Sequence, residues 1–289
     1  MPSKRFHLML IISLLLSLSL ACALTGESTE PPGVEEDLVA TGVAETIAAV
    51  ETESHPVPDN ETETDPMPEP DIVFQGVSFA FDPSLAESVN AENIPGEGDE
   101  NAFFSTPDHL SFTFNNYALV DAFHTPVIKI YSVEEFRAVN GTVGESLDTL
   151  KAVIDSQPVY DENIFVADMF GAAQYFRSLI GYLRFQNGTG VRFITQYGQD
   201  ASPIGWPSLI YAFQGFTNDG QYYVSAIFPI SHPSLPDPDE VVMDDAFYDN
   251  FLNYKADTQM LLDLQELDTF VPSALLLDGV IESTLVESQ

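Results

Sequence analysis

The most constraining feature of the sequence is a pair of alternating apolar stretches, each interrupted by a short turn that contains glycine. The first stretch, 179–198, is interrupted by Asn-Gly-Thr-Gly at 187–190, and the second, 207–230, by Thr-Asn-Asp-Gly at 217–220. Alternation with a period of two predicts β-strands, and Asn-Gly and Asp-Gly steps favour the tight turns of hairpins. Residues 179–230 are therefore predicted to form a four-stranded antiparallel meander.

Shorter segments around the meander also have strand or helix patterns. Strands are predicted at 72–81, 109–119 and 126–133, a loop up to Pro107, and helices at 144–154, 244–267 and 270–285. Residues 168–178 are predicted to be either a short helix or a loop. We expect the helices to cover the sheet, with partial cover on its other face. Together these elements predict an α+β fold, an antiparallel sheet of about seven strands with helices packed on one face.

The first 21 residues have the layout of a secretory signal peptide. Lys4 and Arg5 precede an apolar run of 13 residues at 8–20, whereas roughly 20 residues are needed to span a bilayer. Cys22 is the only cysteine of the chain and follows at the cleavage position. It is predicted either to be the site of lipidation or to be lost with the peptide in ordinary cleavage nearby.

The domain layout follows from a change of composition after the signal peptide. Residues 22–70 are predicted to be a lipid anchor and a disordered linker rich in Pro, Thr and Glu, because residues 27–70 carry many acids and no Lys or Arg. Such a composition cannot compensate for the entropy lost on folding. Residues 71–289 are predicted to form a single α+β domain, of which 241–289 is a C-terminal helical segment.

The charge of the chain is strongly unbalanced. It has 45 acidic and 9 basic residues, a net charge of −36. Binding of nucleic acid or of anionic lipid through a basic patch is excluded, because both need clustered Lys and Arg. Two interpretations of the acidity stay open: solubility outside the cell, and binding of divalent cations.

The two commonest hydrolase signatures are absent from the sequence. It contains neither a G-x-S-x-G elbow nor an H-E-x-x-H segment. His109, His124 and His232 are interpreted as hydrogen-bonded residues of loops or strand edges, since a zinc site would require their three loops to converge. No cofactor is predicted, with calcium as the one candidate.

Two sets of residues are candidates for ligand binding. Five acids after a proline-rich loop form a candidate calcium site, since calcium prefers several oxygen ligands from a flexible loop; the alternative is stabilisation of a helix N-terminus. These acids are Asp237, Asp239, Glu240, Asp244 and Asp245. The second set is the single tryptophan, Trp206, with Tyr197, Tyr222 and Tyr223, which we interpret as aromatic groups that stack on a sugar or dock a protein, or else as core residues.

Several segments resemble known families. The segment at 18–22, Leu-Ser-Leu-Ala-Cys, resembles a bacterial lipobox, in which cysteine becomes the acylated N-terminus; Ala21 fits that pattern, while Ser19 and Leu20 depart from it. GVSFAFDPSLA, HLSFTFNNY and YLRFQNGTGVRFITQYGQ resemble exported lipoproteins of bacteria such as the Chloroflexota. The resemblance covers roughly residues 72–285 and implies location and architecture only. The order of elements is also similar to the PsbP-like sandwich, which implies a non-catalytic accessory role.

Together these features predict a lipid-anchored extracytoplasmic accessory or binding module without catalytic activity, at the outer face of the cytoplasmic membrane. Its predicted partners are the membrane, through the N-terminal lipid, and an unknown protein or small molecule, but not nucleic acid. The first alternative is an exported hydrolase that depends on carboxylates or a metal. The second is a calcium-dependent surface adhesion element.

Overall fold

A computed structural model of the chain describes residues 69–98 and 104–287. All of them belong to the second of two units into which the chain divides, which begins at Glu63. The predicted signal peptide, Cys22 and the predicted linker up to residue 68 lie outside the described residues.

The structure contains the following elements in chain order. The strands are β1 (Ile72–Phe74), β2 (Val77–Phe79), β3 (Ser88–Ile94), β4 (His109–Asn115), β5 (Val127–Ser132), β6 (Ala173–Gln174), β7 (Ser178–Phe185), β8 (Gly188–Thr195), β9 (Tyr197–Gly198), β10 (Ile210–Thr217), β11 (Tyr222–Pro229) and β12 (Leu285–Val286). The helices are α1 (Val133–Val139), α2 (Gly141–Ser156), α3 (Asp245–Asp249), α4 (Phe251–Asp263) and α5 (Ala274–Ser283), with 3-10 turns at Pro238–Glu240 and Leu267–Thr269.

The centre of the fold is a seven-stranded antiparallel sheet. Its strand order is β3-β4-β5-β11-β10-β8-β7. The predicted α+β class and the predicted number of strands are therefore confirmed. The four strands predicted from the two hairpins, β7, β8, β10 and β11, are consecutive neighbours in this sheet, as the meander requires.

Both faces of the sheet are covered. Along β10, Ile210 and Ala212 belong to one core cluster, whereas Tyr211 and Phe213 belong to the other. The first cluster also contains buried residues of α1 and α2, and the second contains residues of β2, α4 and α5. We call the two sides the α1–α2 face and the α4–α5 face. Helices thus extend beyond the single face predicted, because the central strands are apolar on both sides and both sides need cover.

Four segments differ from their predicted secondary structure. Residues 72–81 form a hairpin rather than one strand, because Gln75 and Gly76 adopt positive φ angles of 44° and 76° and turn the chain. Residues predicted as a loop include β3, an edge strand paired with β4. The predicted helix 244–267 is divided at Asn250 into α3 and α4. Residues 168–178 form no helix and contain the short strand β6.

Among residues 69–98 and 104–287, no helix combines the length and the hydropathy needed to cross a bilayer.

Candidate functional site

A line of polar side chains crosses the α1–α2 face, which is otherwise apolar. The register places Ser111 of β4 opposite Lys129 of β5, Lys129 opposite Ser225 of β11, and Ser225 opposite Gln214 of β10. Directly opposed residues of antiparallel strands point to the same face. These four residues therefore form one line across four strands, which we call the polar row. The rows on either side of it are mainly apolar and aromatic: Val127, Ile227 and Ala212 on one side, and Tyr131, Tyr223 and Phe216 on the other.

A buried carboxylate lies against the polar row. Oδ2 of Asp168 accepts hydrogen bonds from Lys129 Nζ at 2.9 Å and from the Tyr131 hydroxyl at 3.0 Å, and Oδ1 accepts one from Ser225 Oγ at 2.8 Å. Only 1% of the Asp168 side chain is exposed. Burial raises the pKa of this carboxyl, but the Lys129 ammonium and the three hydrogen bonds outweigh burial and hold the pKa below its usual value. Asp168 is therefore ionised at neutral pH.

The segment that carries Asp168 is fixed by two tyrosines. The amide of Val166 donates to the Tyr197 hydroxyl at 2.9 Å, and the amide of Ala167 lies 3.3 Å from both the Tyr223 hydroxyl and Gln214 Oε1. Burial raises the pKa of both phenols, so they stay protonated. These hydrogen bonds attach the loop that carries Asp168 to the face of the sheet.

Hydrogen bonds connect Gln214, Ser225 and Lys129 of the polar row through Asp168. The Tyr223 hydroxyl donates to Gln214 Oε1, and Gln214 Nε2 donates to Ser225 Oγ at 3.2 Å. Ser225 in turn donates to Asp168. A connected network of this kind fixes each member in one orientation, and it becomes costly when one member is removed.

A cavity of about 350 Å³ opens at the Lys129 end of the polar row. It is lined by Ser111, Thr113, His124, Thr125, Val127, Lys129, Asp168, Met169 and Ile227. The Lys129 side chain is 28% exposed, whereas Asp168 is almost completely enclosed. The ion pair therefore forms a polar floor, and Ser111, Thr113 and Thr125 are the hydroxyl-bearing residues of the lining.

His124 lines this cavity and also carries a buried polar atom without a hydrogen-bond partner in the described part of the chain. Its Nε2 is buried and has no hydrogen-bond partner among the described residues. Burial lowers the pKa of the imidazole, so the ring is neutral at pH 7. The preceding amide, of Phe123, donates to the carbonyl of Pro207 at 3.1 Å and fixes this loop to the segment before β10.

The other two histidines lie outside the cavity lining and have partners. Nδ1 of His109 lies 3.1 Å from the carbonyl of Pro107, and its ring packs on Tyr131 with centroids 4.6 Å apart. The ring nitrogens of His232 contact the hydroxyls of Ser234 and Thr269 at 2.7 and 2.9 Å. Across 69–98 and 104–287, no three His, Cys, Asp or Glu side chains are grouped in a way that could hold a metal ion.

The structure separates the four aromatic residues singled out from the sequence. Tyr197 and Tyr223 meet at the loop that carries Asp168, where they bind backbone amides. Tyr222 packs against the core of the opposite, α4–α5 face. Trp206 is half-buried in the segment before β10, next to Pro207, which contacts the loop of His124. Two of the four residues therefore support the candidate site, and none of them lines the cavity.

The five acids of the candidate calcium site are distributed over two local caps. Oδ1 of Asp237 accepts from the amide of Asp239 at 3.0 Å, and Oδ1 of Asp244 accepts from the amide of Phe247 at 3.0 Å. Asp245 is in the first turn of α3. These contacts are those of the alternative interpretation, in which the acids stabilise helix N-termini. The calcium site stays a prediction from the sequence.

A second buried ion pair lies on the α4–α5 face. Nε of Arg192 is 3.3 Å from Oδ1 of Asp278, which also accepts a hydrogen bond from the Tyr211 hydroxyl at 2.8 Å. Burial raises the pKa of the Asp278 carboxyl despite the attraction of the guanidinium. The pair joins α5 to β8 and β10.

Sequence reasoning missed the polar row and Asp168. A usable signal was present in the segment Val-Ile-Lys-Ile-Tyr at 127–131, because Lys129 interrupts a strand that is apolar on both sides. Gln214 and Ser225 interrupt their strands in the same way. Isolated polar residues in buried strands need partners, so each of these three positions was a candidate for a buried polar site.

No known protein family, curated protein or solved structure matches the chain. The resemblances to exported lipoproteins and to PsbP-like domains stay predictions from the sequence. The candidate site is therefore interpreted from its own chemistry.

Proposed function

We propose that this protein is a lipid-anchored extracytoplasmic binding module, and that it binds a small polar ligand in the cavity beside Lys129 and Asp168. The observation that carries the proposal is the ionised, enclosed Asp168 at the inner end of an open cavity. Burying an ion pair has a desolvation cost, and well-packed apolar residues are often at least as stable. A buried pair beside a cavity therefore supports a role in binding rather than in stability alone.

The chemistry of the lining favours a neutral ligand. Lys129 and Asp168 balance each other's charge at 2.9 Å, so the floor of the cavity has strong dipoles but no net charge. The net charge of −36 repels anions in the surrounding solvent. Hydroxyls of Ser111, Thr113 and Thr125 can both donate and accept. A volume of about 350 Å³ then suits a neutral polyhydroxy compound of the size of a monosaccharide.

The proposed location depends on the N-terminal sequence. A 13-residue apolar run ends just before Cys22, and an acidic, proline-containing segment separates Cys22 from the described residues. Several acyl chains on one cysteine would hold the protein at the membrane. The acidic segment would then serve as a spacer, since like charges and proline favour extended chains.

The ligand-binding part of the proposal is tested by substitutions in the cavity wall. Neutral monosaccharides (glucose, galactose, mannose and N-acetylglucosamine) are titrated into the full-length protein, with acetate and phosphate as anionic comparisons, and binding is followed by calorimetry. We expect binding of at least one sugar. The double variant Ser111→Ala, Thr113→Val should weaken it about tenfold or more, because the hydroxyl partners of the ligand are lost.

The matched control makes the same two changes on the outer surface of α2. Ser146 is half-buried and Thr149 is exposed, and both donate to backbone carbonyls of their own helix. The variant Ser146→Ala, Thr149→Val should therefore bind the sugar as the wild type does. Binding of anions alone would contradict the proposed ligand class. Sugar affinity that is unchanged in the cavity variant would contradict the proposed site.

A further inference from the structure

An apolar stripe runs along the outer side of α3 and α4. Leu252, Ala256 and Met260 of α4 and Leu264 at its C-terminal cap follow one another at four-residue intervals. Tyr248 of α3 precedes them by the same interval, across the break at Asn250, and all five residues are exposed. Residues four apart are neighbours on one side of a helix. Leu252, Met260 and Leu264 are 76, 67 and 83% exposed. We call these five residues the α4 stripe.

The fold does not use the α4 stripe, because α4 is attached through its other side. Leu262 is fully buried in the core of the α4–α5 face. The hydroxyl of Tyr254 accepts a hydrogen bond from the amide of Ile204 at 2.8 Å, and Phe251 packs edge-on against Tyr175. A helix that is apolar on its outer side as well as its inner side has more apolar surface than its own packing requires, which is typical of an interaction surface.

The charges around the α4 stripe are negative. Asp249 and Asp257 lie on the exposed side of the helices, and Glu266 and Asp268 follow the end of α4. The only cation of α4 is Lys255, whose Nζ lies 5.9 and 5.4 Å from the ring centroids of Tyr175 and Phe251. That ammonium is held over aromatic rings on the packed side. The stripe is therefore an apolar surface with an acidic border.

The apolar centre and the acidic border of the α4 stripe together restrict which partner can bind there. A second copy of the chain and an anionic lipid surface would both be repelled by a protein with a net charge of −36. The N-terminal segment 27–68 cannot complement the acidic border, because it contains no Lys or Arg. A complementary surface has an apolar centre and basic edges. We infer that the α4 stripe binds a cationic amphipathic helix of a partner protein.

The test uses a synthetic 14-residue peptide of leucine and lysine, ordered so that a helix has one apolar and one basic side. A scrambled peptide of the same composition lacks the apolar side. Binding to the full-length protein is measured by fluorescence anisotropy at about 150 mM salt, where long-range attraction between exposed charges is largely screened. We expect saturable binding of the amphipathic peptide and much weaker binding of the scrambled one.

Two variants distinguish the α4 stripe from general acidity. Leu252→Gln with Leu264→Gln should lower the affinity for the amphipathic peptide about tenfold or more, because apolar contact is lost while all charges stay. Val159→Gln is the matched control, since Val159 is 95% exposed and lies outside the stripe. The affinity of this variant for the amphipathic peptide should equal that of the wild type. Circular dichroism spectra and melting temperatures verify that both variants are folded, as substitutions at exposed positions should be.

Two outcomes would overturn the inference. Equal affinity of the stripe variant and the wild type for the amphipathic peptide would show that charge alone drives binding. The second outcome uses vesicles of phosphatidylcholine, a lipid without net charge. If the stripe variant lost vesicle binding while no variant bound the peptide, the surface would be a membrane contact. The sugar titrations with the cavity variant are independent of both results, because the two sites share no residue.

Discussion

Replacing Asp168 with alanine is expected to lower the free energy of unfolding by about 3 kcal/mol, near the lower end of the range for breaking a buried ion pair. The variant leaves Lys129 without its anion and also removes the acceptor of Tyr131 and Ser225. We place the effect at the lower end because 28% of the Lys129 side chain is exposed, so water can hydrate part of the released charge. Urea unfolding followed by circular dichroism at pH 7 measures the effect.

The control for Asp168→Ala is Asp155→Ala on the surface of α2. Asp155 accepts from Lys151 one turn earlier, at 3.1 Å, but both side chains are about half exposed or more. Exposed pairs of this kind contribute about 0.3–0.5 kcal/mol. If Asp168→Ala cost no more than Asp155→Ala, the polar row would not depend on its carboxylate, and the interpretation of the site would be wrong.

The same carboxylate also has an expected pH dependence. Its pKa in the folded protein lies below the ordinary value, so its stabilising contribution is fully present above the unfolded pKa of about 3.9. The contribution decreases as the pH falls from that value through the lower folded pKa. The stability difference between the wild type and Asp168→Asn should therefore be constant from pH 7 to about 5 and narrow below about pH 4. A difference that grew on acidification would contradict the lowered pKa.

Replacing Cys22 with alanine is expected to abolish the attachment of fatty acid to the protein and to release it from the membrane fraction. The chain has no other cysteine that could carry the acyl chains. Cells are labelled with radioactive palmitate, and the protein is isolated by immunoprecipitation from membrane and soluble fractions. We expect loss of all label, because the single attachment site is gone, and a nearly complete change of fraction, because the acyl chains are what anchors the protein.

The matched variant for the labelling experiment is Ser28→Ala, a small change just beyond the predicted cleavage position. It should leave both the label and the membrane fraction unchanged. Label that persists in Cys22→Ala would remove the anchor from the proposal. This result would not affect the cavity, whose residues all lie between 111 and 227.

The parts of the fold that depend on local pattern could be predicted from the sequence. The turns at 187–190 and 217–220 are short, and the strands beside them alternate clearly, so the meander followed from neighbouring residues alone. The edge strand β3 was missed because its sequence, Ser-Val-Asn-Ala-Glu-Asn-Ile, is mostly polar. It pairs with β4, and a local sequence pattern does not show this pairing. The break at Asn250 falls within a continuous helical pattern, so periodicity gave no sign of it.

The candidate site was harder to predict because its members are distant in the chain. Asp168 comes from a loop after α2, whereas the groups that it accepts from lie on β5 and β11. No spacing rule connects position 168 to positions 129 and 225. The polar interruptions of the strands were visible, but only the strand order and register place them in one line. Motif searches find residues that are close in sequence, whereas the groups that meet at this site come from four strands and a loop.

The polar row also bears on how faithfully the strands align while the protein folds. In antiparallel pairing, a shift of one residue turns every side chain of a strand to the other face. For β5, such a shift would move Lys129 from Asp168 into the core beside Phe112 and Phe228 and would bring Ile128 or Ile130 to the carboxylate. An apolar strand without this lysine would tolerate the shifted alignment more readily. Lys129 thus favours the correct strand register, because a shifted sheet would leave the charges of Lys129 and Asp168 buried without partners.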